Sequence, residues 1–239
     1  MIKEIYAGMT KAANPIENGT YTARLFQIIQ IGSQYFCKRN VKGDVISEWY
    51  SPQILLGFEL PTIVEENMDG VKFAKIKSVT YFLSMNPSRN GVPGLREIID
   101  GMRGSAEYSE EELQKFSVTA FMGKTFSIKL DGVESKGQVF QNIIGISPLG
   151  KDEMPELDPD YIPRKEILVT IDDFKNLDTL GLPDWIQEKI MKSDEYAKME
   201  AKAGEPEFNL PEPEAKPYKQ EKNSGGTNDD GIDIDDLEL

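Results

Sequence analysis

Alternating apolar and polar positions fill the first two thirds of the chain, and this alternation predicts strands. Residues 19–36, 49–61 and 71–84 are rich in β-branched and aromatic side chains, which favours three consecutive strands. The first segment is too long for an ordinary straight strand. Gly32 lies within it and is a candidate bulge or kink, so we expect this strand to bend strongly.

The pattern changes after the third strand. Residues 95–104 and 109–116 predict one or two short helices, the second with Ser109 as its N-cap. Residues 123–130 and 138–149 predict two more strands joined by a hairpin loop. The order β-β-β-α-β-β is that of the OB-fold, a five-stranded Greek-key barrel, although an unrelated α+β domain has the same order. We predict a mainly-β fold with helices, built on an OB-like barrel.

Composition divides the chain further. After residue 200 the sequence is rich in Pro, Glu, Lys and Gly, and it holds too few apolar residues to offset the entropy of ordering. Before it, residues 183–199 predict a helix that packs on the barrel, because Trp185, Ile186, Ile190 and Met191 lie at helical spacing. The predicted regions are a flexible segment 1–18, an OB-like domain 19–150, an extension 151–199 ending in a helix, a disordered linker 200–228 and an acidic tip 229–239.

Missing residue types exclude several kinds of chemistry. The 239 residues include no histidine and one cysteine, which excludes a Ser-His-Asp triad, a Cys-His dyad and a Cys2His2 zinc site. The longest apolar run is far shorter than the roughly 20 residues of a membrane helix, and the N-terminus lacks an apolar signal region. We expect a soluble, cytoplasmic protein that uses no metal or cofactor and no membrane.

The net charge of −14 is unevenly distributed. Residues 1–150 contain 16 basic and 16 acidic side chains, whereas residues 151–200 contain 7 and 14, and residues 201–239 contain 4 and 11. The excess of acid therefore lies entirely in the last third of the chain. A neutral body remains compatible with a polyanionic ligand, despite the acidic average.

Aromatic and basic residues coincide at the positions that an OB-fold uses to bind oligonucleotides, which are strands two and three and the loops one–two and four–five. Single-stranded nucleic acid binds by stacking bases on rings and by placing phosphates beside Lys and Arg. The predicted DNA-binding residues are Arg24, Tyr35, Phe36, Lys38, Arg39, Lys42, Trp49, Tyr50, Phe73, Lys75, Lys77, Tyr81 and Lys136.

The third strand carries part of this prediction through its period of two. Lys75 and Lys77 share a face with Phe73 and Tyr81, and a basic face suits a polyanion better than a core. The opposite face is expected to form the barrel interior; it contains Ala74, Ile76, Thr80 and Phe82. Two alternatives stay open: the rings belong to the core, or the lysines form an ordinary solvated face.

Enzymatic function has weak support in the sequence. Gly123-Lys124-Thr125 matches the end of a phosphate-binding loop, but position 118, where the first glycine belongs, is Val118. Composition alone leaves a metal-dependent nuclease open because carboxylates are plentiful. A non-catalytic adaptor that uses the barrel and the acidic tail is the other alternative. We expect no enzymatic activity.

The tip alternates acids with aliphatic residues, a pattern that suits capture by a basic pocket with an apolar lining on a partner protein; a solubilising tail is the alternative. The predicted partner-binding residues are Asp229, Asp230, Ile232, Asp233, Ile234, Asp235, Asp236, Leu237, Glu238 and Leu239.

The sequence resembles the single-stranded DNA-binding proteins encoded by bacteriophages, whose first strand opens with a Y-x-A-R motif like Tyr21-Thr22-Ala23-Arg24. This resemblance implies an OB-like core that coats single strands during phage DNA replication and recombination. It also implies that the tail recruits phage or host replication and recombination proteins. Tips of this style commonly end in Phe, whereas this one ends in Leu239. The matching stretches are residues 21–34, 57–61, 78–84, 95–104, 122–124, 139–144 and 182–196.

Overall fold

A computed structural model describes residues 16–66, 72–86, 93–105, 109, 111–112, 117–135, 138–150, 153–157, 159 and 161–204. Several predictions fall outside these residues. They concern most of the segment 1–18, nearly all of the linker 200–228, the whole tip 229–239, and Lys136 in the loop between the fourth and fifth strands.

Six strands form one sheet, so the prediction of a mainly-β fold with helices is confirmed. Five of them run antiparallel in the order β3-β2-β1-β4-β5, and the short β6 pairs parallel with β1. The sheet is open, because this path ends at β3 on one side and at β5 on the other. The strands are β1 Gly19–Arg39, β2 Val45–Glu66, β3 Lys72–Phe82, β4 Thr125–Ser135, β5 Gln138–Pro148 and β6 Ile167–Val169.

β1 is bent, as its length and its glycine predict. Its pairing with β2 shifts register between Gln30 and Gly32, and Gly32 has a φ of +79°. Such a bulge tightens the local twist and re-aims the strand. On its other edge β1 pairs with β4 as far as Arg24 and then with β6 at residues 27–29, while its pairing with β2 continues to Arg39.

Helical segments lie between and after the strands. The predicted helix at 183–199 is in fact two helices, because the buried Ser193 ends one and starts the next. Its hydroxyl donates to the Ile190 carbonyl and accepts from the Tyr196 N–H, as an N-cap does. The helices that lie wholly within the described ranges include α1 Leu95–Arg103, α2 Asp184–Met191 and α3 Asp194–Gly204, and 3-10 helices span Val118–Phe121 and Ile171–Thr179.

Apolar side chains on both sides of β1 and β2 are buried. Leu56 and Phe58 pack with α1 in a first core, whereas the alternate residue Leu55 packs with the C-terminal extension in a second core. Ile186 and Ile190 of α2 belong to the second core. Trp185 and Met191 are exposed instead, so the predicted packing face of this helix is wrong for those two residues. No helix within the described ranges is long and apolar enough to cross a membrane.

Candidate nucleic-acid interface

The hairpin of β1 and β2 continues beyond the rest of the sheet. The last pair between β2 and β3 is Gln53 with Phe82, so residues 32–52 form a two-stranded hairpin, which we call the arm. Its loop is short and held by Asn40, whose side-chain oxygen accepts from the N–H groups of Lys42 and Asp44 at 2.9 and 3.0 Å. Among the described residues no third strand pairs with the arm, and its base contacts the C-terminal extension through Ser33 and Gln34.

Two aromatic rings of the arm and one ring of β3 lie together on one face of the sheet. Phe36 stacks on Trp49 with 5.9 Å between ring centroids and 20° between planes, and Phe82 lies 5.3 Å from Phe36. Trp49 is 47% exposed and Phe82 is 50% exposed. We call these three residues the platform. Exposed, pre-packed rings of this kind are the surfaces on which bases of a single strand stack.

Lysine and arginine surround the end of the arm. Lys38 pairs with Ser47, one step beyond the Phe36–Trp49 pair on the same face, because every second residue of a strand shares a face. Arg39 donates to the carbonyl of Gly43 at 2.9 Å, which holds its guanidinium beside the loop that also carries Lys42. All three cations are exposed, as phosphate contacts require.

The other face of the arm has a different character. Tyr35 and Tyr50 meet edge to face at 5.7 Å, and the Tyr35 hydroxyl donates to the Glu48 carboxylate at 2.6 Å. This hydrogen bond to an anion raises the pKa of Tyr35 to about 12. Tyr35 and Tyr50 were predicted to bind DNA, but a carboxylate beside them makes their face less favourable for phosphates than the platform.

The face of β3 that was predicted to bind DNA points inward. The inner and outer faces of this strand are therefore the reverse of those predicted from the sequence. Lys77 pairs with Phe58 and Tyr81 pairs with Ile54, and both partners belong to the first core. Opposite residues in an antiparallel pair share a face. Tyr81 is accordingly buried, and Phe82, expected in the interior, lies on the platform.

The two lysines of β3 have partners within the protein. Lys77 donates to the backbone carbonyl of Gln141 in β5, and burial lowers the pKa of its ammonium. Lys75 forms an ion pair with Glu65 at 3.0 Å. Neither ammonium is placed to follow a phosphate backbone on the outer surface.

Phe73 and Arg24 also have structural partners. The Arg164 guanidinium lies 5.7 Å from the Phe73 ring centroid and covers it. Arg24 forms a 2.5 Å ion pair with Glu59, which has no exposed surface. The Arg24 guanidinium donates as well to the carbonyl of Arg164. Both side chains therefore have partners within the protein, and their contact with DNA stays a prediction.

The platform residue that the sequence assigned to the wrong face is Phe82. Alternation alone gives two possible phases for a strand, and the choice between them depends on which residues of β2 face α1. The four–five loop residue Lys136 lies outside the described residues. Within the described part of the chain, no group of three or more acidic or cysteine side chains is placed to hold a metal ion.

No protein-family model matches this chain. No curated protein matches its sequence either. The geometry of the arm is therefore the main ground on which a function can be proposed.

Proposed function

We propose that the protein is a non-catalytic single-stranded DNA-binding protein with an OB-like, partly open barrel, and that the arm is its binding surface. The observation that carries the proposal is the platform of Phe36, Trp49 and Phe82, exposed next to the cations of the arm loop. Stacking needs no particular base because every base has an aromatic face, so binding has little sequence preference.

The arrangement of the strands supports the barrel part of the proposal. Among the described strands, the path β3-β2-β1-β4-β5 ends at β3 and at β5, and the Lys77 ammonium of β3 reaches the Gln141 carbonyl of β5. A five-stranded Greek-key barrel of the OB type is commonly open in part. The platform then lies where strands two and three and the one–two loop meet, which is where OB-folds bind oligonucleotides.

The cellular role follows from the resemblance of the sequence to phage proteins. The protein protects single strands during phage DNA replication and recombination, and the acidic tip at 229–239 recruits phage or host proteins that work on the same DNA. Protection of single strands in the cell and recruitment by the tip both involve more than the arm, so binding of oligo-dT by the arm does not test them.

A titration with oligo-dT at two salt concentrations tests the binding function. Three phosphate contacts from Lys38, Arg39 and Lys42 give a slope of log affinity against log salt of about −2, since each contact on a single strand contributes about −0.7. Affinity then falls about 16-fold between 50 and 200 mM salt. Equal affinity at both concentrations, or no binding at all, contradicts the proposal.

A matched pair of variants locates the contacts. Replacing Lys38, Arg39 and Lys42 by Ala makes the slope shallower by about 2, because these side chains meet the phosphates. The control replaces three exposed lysines elsewhere, Lys129, Lys175 and Lys202, with the same change in net charge. The control retains the native slope. If both variants lose affinity equally, the general field of the protein, rather than the arm, attracts the DNA.

A protein–protein adaptor is the second candidate, and the Tyr35–Tyr50 face favours it. Exposed tyrosines such as these are typical of protein interfaces, which are enriched in Tyr. An adaptor captures one protein partner in a salt-insensitive manner and has no affinity for oligo-dT. The same titration therefore separates the two candidates.

A further inference from the structure

One side of α2 combines an aromatic ring with two cations. Trp185, Lys189 and Lys192 follow one another at spacings of four and three residues, so they lie along one stripe of the helix. Trp185 is 46% exposed, while Ile186 and Ile190 anchor the neighbouring side of the helix in the second core. The helix is thus firmly attached, yet it keeps the Trp185 ring at the surface. Packing in the core therefore does not explain the presence of a tryptophan there. We call these three residues the α2 stripe.

Within the stripe, a cation is already placed beside the ring. The Lys189 ammonium lies 5.6 Å from the centre of the Trp185 ring system, within the range of a cation–π contact. Single-strand binding surfaces use the same combination, a ring for a base and a nearby cation for its phosphate. Acidic Asp184 and Glu188 lie on the adjoining positions of the helix, so the cationic end of the stripe is Lys192.

The α2 stripe adjoins the platform side of the arm. The side-chain amide of Gln34 donates to the Lys189 carbonyl at 3.0 Å. Gln34 pairs with Ser51 and Phe36 pairs with Trp49, so Gln34 lies on the platform face. Phe36 of the platform lies two residues along the strand from Gln34, a distance of about 7 Å. Trp185 is one helical turn, about 6 Å along the axis, from Lys189.

From this continuity we propose that the bound single strand passes from the platform onto α2, where one base stacks on Trp185 and phosphates meet Lys189 and Lys192. The inference rests on the proposed function and extends its surface to the C-terminal extension. It assigns the extension a role in binding DNA beyond its role in packing. It also makes Trp185 a reporter of how far the strand extends.

The two tryptophans of the chain allow each surface to be observed alone. Trp49→Phe leaves Trp185 as the only tryptophan and keeps an aromatic ring in the platform, whereas Trp185→Phe leaves Trp49. Each variant is titrated with oligo-dT of about 4 and about 16 nucleotides, the range of site sizes for one OB-fold. We expect the long oligonucleotide to quench both tryptophans and the short one to quench Trp49 far more strongly.

Affinity measurements with labelled oligo-dT complement the quenching. Trp185→Ala weakens binding of the long oligonucleotide about tenfold, the typical loss for one stacked base, and changes binding of the short one by less than twofold. Replacing Lys189 and Lys192 by Ala reduces the salt slope by about 1.4. The control pair, Lys175→Ala with Lys202→Ala, removes two exposed cations outside the stripe, one from the 3-10 helix Ile171–Thr179 and one from α3, and leaves the slope unchanged.

The possible failures are distinguishable. If the long oligonucleotide quenches Trp49 but leaves Trp185 emission and the affinity of Trp185→Ala unchanged, the strand ends at the arm and the inference is wrong, while the proposed function stands. If replacing Lys189 and Lys192 by Ala weakens binding no more than the control replacements do, the stripe makes no phosphate contact and the inference is again wrong. If native protein binds neither oligonucleotide, the proposed function and the inference fail together.

Discussion

Arg24 and Glu59 illustrate how a single residue changes role between sequence and structure. In the sequence, Arg24 ends a Y-x-A-R motif and is a candidate phosphate contact. In the fold it forms a 2.5 Å ion pair with Glu59, whose other oxygen accepts from the Arg164 N–H at 3.1 Å. Composition cannot reveal such a pairing, because it depends on β1 and β2 placing Arg24 directly opposite Glu59.

Arg24→Ala therefore acts on stability. Removing one partner leaves the fully buried Glu59 carboxylate uncompensated, which typically costs about 3–5 kcal/mol of unfolding free energy. Urea unfolding of native and variant protein measures this loss. DNA affinity per folded molecule is expected to stay within twofold of native. A variant of native stability with weakened DNA binding contradicts the assignment.

Gly32 supports two features at once, the bend of β1 and the close approach of α3. Its φ of +79° is a conformation that other residues rarely adopt, and an added Cβ would lie 2.6 Å from the Cβ of Ser193. Gly32→Ala should lower the unfolding free energy by more than the 1–3 kcal/mol typical of backbone strain alone.

Gly43→Ala is the matched control for that prediction. Gly43 has a φ of +91°, but an added Cβ meets nothing within 4 Å, so only the backbone strain applies. The excess loss in Gly32→Ala over Gly43→Ala measures the contact with Ser193. Equal losses in the two variants mean that α3 does not constrain the bend.

Glu195 fastens α3 to β1 in a pH-dependent way. Its carboxylate accepts from the backbone N–H and the hydroxyl of Ser33 at 2.6 and 2.7 Å. Burial alone would raise the pKa of Glu195, but these hydrogen bonds outweigh burial and bring the pKa below its usual value. A lowered folded-state pKa gives stability that is present above the unfolded pKa of about 4.3 and is lost as the pH falls through the folded pKa.

Glu195→Gln tests this attachment. We expect a loss of roughly 1 kcal/mol of unfolding free energy at pH 7, because charge-assisted hydrogen bonds are replaced by neutral ones. The difference from native protein should shrink as the pH is lowered below 4 in a series of chemical denaturation curves. A difference that is independent of pH shows that the charge of Glu195 is not what matters.

At the scale of elements, buried strands were easier to predict than the arm. The residues of β2 that alternate between the two cores have a clear pattern, and their strand was predicted. Residues 37–47 were expected to be a polar excursion between the first two strands, but all except residues 40–44 belong to β1 and β2. An exposed hairpin buries neither face, so no alternation of apolar and polar residues marks it. β6 was missed because three residues carry too little pattern.

The predicted orientation of β3 is the other error at this scale. The observed orientation changes the expected effect of replacing Lys75 and Lys77. If Lys75 and Lys77 faced DNA, their replacement would flatten the salt slope. Because they face the interior and the rim of the first core, Lys75→Ala with Lys77→Ala should leave the slope unchanged and lower the unfolding free energy. Salt-dependent titration and urea unfolding of the double variant measure the two effects. A flatter salt slope together with native stability contradicts the inward orientation of Lys75 and Lys77.

At the scale of the whole molecule, net charge is a poor guide to the ligand. Residues 1–150 are neutral overall, yet Lys38, Arg39 and Lys42 gather at the end of one hairpin. Distribution matters more than the sum, because screening limits the reach of a charge to about 8 Å at physiological ionic strength. The excess acid of the last third of the chain therefore need not prevent binding at the arm.

The most direct test of the account is photochemical cross-linking of the native chain to oligo-dT that carries 5-iododeoxyuridine, followed by mapping of the modified peptides. Stacked rings react most readily with such a base, so the account predicts cross-links at Phe36, Trp49 or Phe82. Excess unlabelled oligo-dT should suppress them. Cross-links confined to β3 residues that face the core, or to segments remote from residues 32–52, would contradict the claim that the arm binds the single strand.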